Sequence, residues 1–240
     1  MDKIIKFLTS WFACTPLHPQ WLMFRDNYKS LSKLDEVIRG IVLDIGCGRR
    51  EVEQYLPNSV DYLGLDYFYT SVNWYHSFPD IYADAVSLPL SDKSIDTVLL
   101  LDVLEHLKEP ERCMKEISRI LNPGGNLILQ VPFVYPVHDK PLDFRRWTTF
   151  GLHQLAQNNG FTVKNEKCYG QPLETAAMLF NIAFSKMIIN CYNNKNPLVV
   201  LILFAPVLVP LTNILAWFIS FITPKDDMMP GYIRVIMTKK

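Results

Sequence analysis

The stretch IVLDIGCG (residues 41–48) ends an apolar run on an acidic residue, Asp44, and follows it with Gly46, Cys47 and Gly48. Glycines at that spacing let a backbone turn sharply and lie close against a ligand, because no side chain stands in the way. Asp66 closes the next apolar run, YLGLD, 22 residues beyond Asp44. A carboxylate at that depth can accept both hydroxyls of a ribose. Tyr67 follows it with an aromatic face, Asp84 and Ala85 end DIYADA, and Asp102 and Val103 follow the run IDTVLLL. Position 51 is a glutamate, so the third glycine of a dinucleotide fingerprint is missing. Nothing is arranged to cradle a pyrophosphate on a helix N-terminus. The pattern calls for a nucleoside cofactor without phosphates. Cys47 reads as a small spacer between glycines rather than a nucleophile.

A second group is denser. PFVYPVHDKPLDFRRWTTFGL carries His138, Asp139, Asp143, Arg145, Arg146 and Trp147 within ten residues. A histidine oriented by a neighbouring carboxylate is the arrangement of a general base. The competing account is structural, with Asp143 pairing Arg145 or Arg146 and Trp147 filling a gap under the next helix. Both accounts stay open on the sequence.

These residues need a frame that delivers them to one edge. From residue 41 to about 131, the apolar runs IVLDIG, DYLGLD, DIYADA, IDTVLLLDV and NLILQVPF alternate with polar, helix-like segments. Short apolar strands separated by helices describe βαβ units and a parallel sheet covered on both faces. KEPERCMKEISRILNPGG predicts a helix, with Pro110 at its start, apolar residues at helical spacing, and an Asn-Pro-Gly-Gly stop. TTFGLHQLAQNNGF predicts another, ending at Gly160, and FTVKNEKCYG and YIRVIMTKK predict strands. Open sheets of this kind bind ligands at the carboxyl ends of their strands.

In this order, VLDIGCG, YLGLD, ADAVSLPLSDKSIDTVLLLDVLEHLKEP and RILNPGGNLILQVPF, over about residues 41–133, resemble the class I S-adenosylmethionine-dependent methyltransferases. The likeness is to the branch of quinone-biosynthesis and small-molecule methyltransferases. It implies an α/β fold: a Rossmann-like, seven-stranded, mostly parallel sheet with helices on both faces, its final strands an antiparallel hairpin. It implies S-adenosyl-L-methionine lying along Gly46, Cys47 and Gly48, with its ribose on Asp66. The adenine then falls beside Tyr67 and Asp84–Ala85, and the methionine part near Asp44 and Asp102, with Val103 closing the pocket. The missing third glycine is normal for that family and disfavours a nicotinamide oxidoreductase, the main enzymatic rival. His106, in LEHL, recurs in the family pattern, and a helix-capping or packing role is expected of it. The segment from His138 to Thr148 is similar to methyltransferases from polysaccharide gene neighbourhoods. It sits where family members build the acceptor pocket, which makes His138, held by Asp139 or Asp143, the expected base for a hydroxyl acceptor.

One run does not belong to such an enzyme. LVVLILFAPVLVPLTNILAWFISFI (residues 198–222) lies in a stretch without charge between Lys195 and Lys225. If the last two strands pair, residues 171–230 are an insertion between them, and both of its ends must lie on the same side of any membrane. Pro206 and Pro210 interrupt the run, which suggests a helix–proline–helix dip into one leaflet, with arms too short to span. Trp217, Lys195 and Lys225 suit an interface. A buried cap or a dimer face is the plainer alternative. The chain therefore divides into an N-terminal helical segment (1–40), a methyltransferase domain (41–170 and 231–240) and an apolar insertion (171–230). Residues 197–223 are expected to meet a membrane surface on its cytoplasmic face, with a small-molecule or lipid-linked acceptor; a non-catalytic adaptor of the same fold is the other rival. Near the start, Ile4, Ile5, Leu8, Trp11 and Phe12 would share one face of a short helix.

With 24 basic and 24 acidic residues the net charge is zero, so no global field draws in nucleic acid, and none is expected as a partner. The five cysteines are odd in number and never form a CxxC pair. That speaks against a disulfide framework and a zinc site, and no metal is expected.

Overall fold

The computed structural model describes residues 12–25, 30–34 and 36–240. The short helix expected around Ile4 to Trp11 lies outside the described residues. Within them, the chain forms two compact units. One takes residues 30–133, 137–168 and 232–240, the other 12–25, 134–136 and 169–231.

The first unit is built on a seven-stranded sheet of order β3-β2-β1-β4-β5-β7-β6. Its strands are β1 (Ile41–Ile45), β2 (Asp61–Asp66), β3 (Ile81–Tyr82), β4 (Ile95–Leu101), β5 (Leu121–Pro132), β6 (Phe161–Tyr169) and β7 (Tyr232–Lys239). β1 pairs in parallel with β2 and β4, β2 with β3, and β4 with β5, while β7 runs antiparallel to β5. The central runs are apolar throughout because the sheet is covered on both faces. Alternate residues go to opposite sides. Leu43, Ile45, Val98, Leu100, Leu127 and Leu129 pack with Met114, Ile117 and Ile120 on one face. Val42, Leu99, Leu101, Ile128 and Ile236 pack with Leu31, Ile38 and Val52 on the other.

The Pro110–Ile120 helix has Pro110 in its first turn and buries Cys113, Met114, Ile117 and Ile120 along one stripe. The expected Asn-Pro-Gly-Gly stop does not separate it from the next strand. The helix ends at Ile120 and β5 begins at once, with Asn-Pro-Gly-Gly in the irregular stretch where the β4–β5 register shifts. The Thr149–Asn158 helix is capped by the Thr148 hydroxyl, which accepts from the Gly151 N–H. The third strand is only two residues long.

The second unit is a pair of helices with short flanking segments. Pro172–Asn193 starts on a capping box in which Gln171 and Glu174 satisfy each other's backbone N–H. Glu174 also takes an ion pair from Arg25 at 2.8 Å. After a 3-10 stretch, Pro197–Phe204, the chain continues as a helix over Ala205–Ile222. No loop separates the two, and the change from 3-10 to α-helix falls one residue before Pro206. Pro206 sits in the first helical turn, where its missing N–H has no partner to lose, and Pro210 is carried within the helix. The two helices are tied by buried amides: Asn181 Nδ2 donates to Asn213 Oδ1 at 3.0 Å. Asn213 Nδ2 in turn donates to the carbonyls of Pro16 and His18 at 2.8 and 3.0 Å. That is why residues 12–25 belong to this unit rather than to a separate N-terminal segment, whereas Leu31 and Ile38 pack against the sheet. The insertion returns to where it left, since the Gly231 N–H donates to the Tyr169 carbonyl at 2.8 Å. Pro172–Asn193 and Pro197–Ile222 are long and apolar enough to cross a membrane, with mean hydropathies of 1.2 and 2.5. Leu203, Phe204, Val207, Phe218, Phe221 and Ile222 are all exposed.

Candidate active site

The carboxyl ends of β1, β2 and β4 converge, and each brings its acidic residue. Gly46 and Gly48 lie in the left-handed region, at φ 77° and 51°. A Cβ on Gly46 would stand 2.4 Å from Val103 Cγ2, so the loop packs against the end of β4 only because that atom is missing. A Cβ on Gly48 would enter open space, its nearest neighbours being Tyr75 ring atoms at 4.0 Å. Side-chain-free backbone facing open space is the cradle a nucleoside needs. Cys47 is buried, and burial pushes its thiol up to about 12, which suits a spacer and not a nucleophile.

Asp66 organises this loop. Its carboxylate accepts from the Gly48 N–H at 2.8 Å, the Tyr67 N–H at 2.7 Å and the Thr70 hydroxyl at 2.8 Å. One side chain thus fixes the glycine turn, the end of β2 and the helical turn that follows. Tyr67 is exposed, with its ring open to stacking. Asp84 is exposed and accepts from the Val86 N–H at 3.1 Å, while Ala85 is buried beside it.

Asp44 is buried and accepts from the Tyr62 hydroxyl at 2.6 Å. Burial pushes its carboxyl up to about 7 in spite of that bond. Asp102 has a non-glycine φ of 56°, a strained conformation of the kind that persists where the surroundings enforce it. The enforcement is a polar chain through the sheet. Gln130 Nε2 donates to Asp102 Oδ2 at 2.9 Å, and Arg234 donates to Gln130 Oε1 from Nε at 3.0 Å and Nη2 at 2.6 Å. Arg234 Nη1 also donates to Ser30 at 2.6 Å. The other oxygen, Asp102 Oδ1, is buried with no hydrogen-bond partner among the described residues. Burial raises the Asp102 carboxyl to about 6. An orphaned, partly desolvated carboxylate beside a side-chain-free loop matches the ammonium and sulfonium end of S-adenosylmethionine, and Asp66 matches its ribose. The residues present fit that cofactor. Gln130 and Arg234 escaped the sequence reading, although each is a polar residue within an apolar strand and the two are cross-strand partners.

The dense acidic-basic segment folds against the turn after β4. His138 Nδ1 lies 3.2 Å from Asp143 Oδ2, and the His138 N–H donates to the same oxygen at 3.0 Å. Arg146 grips Asp143 with two bonds at 2.5 and 2.8 Å and holds its carboxyl well below the usual range. Asp143 therefore does both jobs that were in competition, pairing arginine and orienting the histidine. Asp139 is drawn instead toward His106, with Oδ2 3.9 Å from Nε2. Trp147 packs against the core, and Arg145 lies over its ring at 5.9 Å. Glu105 and His106, from LEHL, complete the group. Glu105 is fully buried, and burial together with the charge of Asp102 raises its carboxyl well above the usual value. His106 and His138 meet edge to face with ring centroids 4.9 Å apart. His106 is thus part of a side-chain cluster and not simply a cap, and Glu105 had no signal of its own beyond lying next to it.

A family model described as a methyltransferase domain matches residues 43–129. The "Probable S-adenosylmethionine-dependent methyltransferase" of Mycolicibacterium smegmatis is 29% identical over 135 residues, covering 52% of each chain. The demethylmenaquinone methyltransferase of Renibacterium salmoninarum is 31% identical over 93 residues, covering 37% of this chain and 39% of its own. The chain thus spans about half or less of the length of these curated relatives. The solved structure of a SAM-dependent methyltransferase from Archaeoglobus fulgidus superposes with a TM-score of 0.54 at 16% identity, over 90% of this chain and 96% of its own. At that identity it establishes the fold alone. The motif-bearing loops, the sheet order and the match over residues 43–129 agree: the fold is that of the class I S-adenosylmethionine-dependent methyltransferases, and residues 43–129 are similar to their methyltransferase domain.

Proposed function

We propose that this protein methylates an oxygen of a membrane-associated acceptor, with a lipid-linked saccharide as the first choice. When bound, S-adenosylmethionine supplies a methyl group activated by a sulfonium. Asp66 accepts the ribose hydroxyls, Tyr67 and Asp84–Ala85 flank the adenine, and Asp44 and Asp102 hold the cationic methionine end against Gly46, Cys47 and Gly48, with Val103 behind them. Most of the rate in such a displacement comes from holding the acceptor oxygen in line and excluding water. A hydroxyl acceptor must also lose a proton, and the group formed by His138, His106, Glu105 and Asp139 is where it does so, with Asp143 orienting His138.

The membrane part of the proposal is carried by one observation. Pro197–Ile222, with a mean hydropathy of 2.5, is only 11% buried. A face of that character needs a nonaqueous neighbour. Both ends of the insertion are joined through Tyr169 and Gly231, so it enters and leaves the bilayer on one side, which is taken as the cytoplasmic face where the cofactor is made. The relation to a demethylmenaquinone methyltransferase favours a second reading, in which the acceptor is an isoprenoid quinone. Incubating membranes that contain the protein with methyl-labelled S-adenosylmethionine, then separating the lipid extract, tests both. Label in acid-labile glycolipid supports the first reading and label in the quinone fraction the second. Label confined to water-soluble products, or release of the protein by a carbonate wash, overturns the membrane-bound acceptor.

A further inference from the structure

We infer that Glu105, His106 and His138 form a binding site for a divalent first-row transition metal, which takes the acceptor's hydroxyl oxygen as a further ligand. The inference deepens the proposed function and rests on it for the identity of the oxygen, though the metal site stands on geometry of its own.

The ligand atoms of these three residues all lie within 4.8 Å of one another. His106 Nε2 is 3.7 Å from Glu105 Oε1, and His138 Nε2 is 4.0 Å from the same oxygen. A metal with bonds of about 2.0–2.1 Å spaces tetrahedral ligands about 3.4 Å apart, so these two pairs need to close by less than about 1 Å. Two histidines and one carboxylate, with remaining positions open, are the donor set of catalytic zinc and non-haem iron sites.

The ring nitrogens point the same way. His106 Nδ1 lies 3.1 Å from the Leu142 carbonyl oxygen. A carbonyl only accepts, so Nδ1 carries the proton and Nε2 presents a lone pair toward Glu105. His138 Nδ1 lies 3.2 Å from Asp143 Oδ2, and its Nε2 is the nitrogen on the Glu105 side. Two imidazole Nε2 atoms therefore approach one carboxyl oxygen. Glu105 is fully buried, and neither of its oxygens has a hydrogen-bond partner among the described residues. A buried carboxyl without a hydrogen-bond partner, set beside two imidazole nitrogens, is costly. A divalent cation held by all three would satisfy it.

Metal-ligating histidines are oriented through their other ring nitrogen by a carbonyl or carboxylate, the roles Leu142 and Asp143 already fill. The backbone is braced as well, since the Phe144 N–H donates to the Glu105 carbonyl at 3.0 Å. Asp139, 44% exposed and 3.9 Å from His106 Nε2, stands beside the group of three without belonging to it. A metal there lowers the pKa of a coordinated hydroxyl. The proton leaves to solvent or to Asp139, and the metal-held oxygen keeps the electron pair it uses to form the new bond to carbon, whose bond to sulfur breaks. On this account His138 is a ligand and not a free base.

The test uses the full-length protein in detergent, stripped with chelator and titrated with cobalt(II). The expected result is one equivalent bound with a visible d–d absorption, displaced by zinc(II), and weakened at least about 100-fold in both Glu105→Gln and His106→Ala. Unfolding midpoints and S-adenosylmethionine affinity identify variants that fail merely by misfolding, and His138→Gln serves where either does. Absence of cobalt uptake by the wild-type protein, or uptake unchanged in folded variants, overturns the metal site. Cobalt bound at the cluster without methyl transfer to any membrane lipid leaves the metal site supported and sinks the acceptor proposal instead. Undiminished transfer in chelator by protein that takes up no cobalt does the reverse.

Discussion

Replacing Asp66 by asparagine removes one charge and changes almost no volume, yet it strikes three elements at once. The carboxylate accepts three hydrogen bonds of 2.7 to 2.8 Å while only 4% exposed. Hydrogen bonds to a charged group contribute about 1.5–3 kcal/mol each. An asparagine can keep its oxygen toward Tyr67 and Thr70, which turns its NH2 onto the Gly48 N–H, or the reverse. The first orientation keeps two bonds and loses one, so it is preferred and the Gly48 bond is the one lost. That loss, with two donors left facing each other, is expected to destabilise the fold by about 2–4 kcal/mol. The ribose loses its charged acceptor as well, worth roughly a 10- to 100-fold rise in the dissociation constant. Guanidinium unfolding measures the first effect and calorimetric titration with S-adenosylmethionine the second. A variant that unfolds at the wild-type denaturant concentration and binds within about threefold of wild type would refute the account of Asp66 as the hub of the loop.

Two further outcomes follow from buried polar groups. Burial raises Asp44 from 3.8 to about 7, so the folded chain holds a proton the unfolded chain has released. Stability is therefore highest at the acid end of that window, falls as pH rises through it, and levels off above about 7. An ammonium held by Asp44 favours the ionised form, so cofactor affinity rises over the same range; Asp44→Asn makes both profiles shallower, leaving the part that Asp102, raised to about 6, contributes, and a pH-independent affinity in the wild type would contradict the placement. In the helical unit, Asn213→Leu removes the acceptor for Asn181 and the donor to two carbonyls. A loss of about 2–4 kcal/mol is expected, read as a lower unfolding midpoint in detergent. The Asn181→Leu, Asn213→Leu double variant should lose less than the sum of the two, because the partners share one network.

The gathering of acidic strand ends at one edge was legible because its signals are local. Asp44, Gly46, Gly48, Asp66, Asp84 and Asp102 each sit at or just beyond the end of an apolar run, and parallel βαβ topology brings such ends to one edge of the sheet. The alternation of Val42, Leu43 and Ile45 and the stripe of the Pro110–Ile120 helix were equally readable, since the periodicities of strand and helix are written into neighbouring residues. Proline was a poorer guide. Pro206 and Pro210 suggested a broken dip, but one falls in a first helical turn and the other is carried inside a helix stabilised by its contacts to the Pro172–Asn193 partner.

By itself, the sequence determined the class of fold, the acidic residues at the strand ends and the presence of an apolar insertion, all consequences of short-range pattern. Only the tertiary structure decided that Gln130 braces Asp102 while itself held by Arg234, more than a hundred residues further along the chain. It alone brought His138 to Glu105 and His106, and showed that Asp143 rather than Asp139 orients it. These are meetings of side chains from separate elements, set by the path of a loop and by which lone pairs are left facing one another. No spacing along the chain encodes that, because the interaction exists only once the intervening segment has folded back.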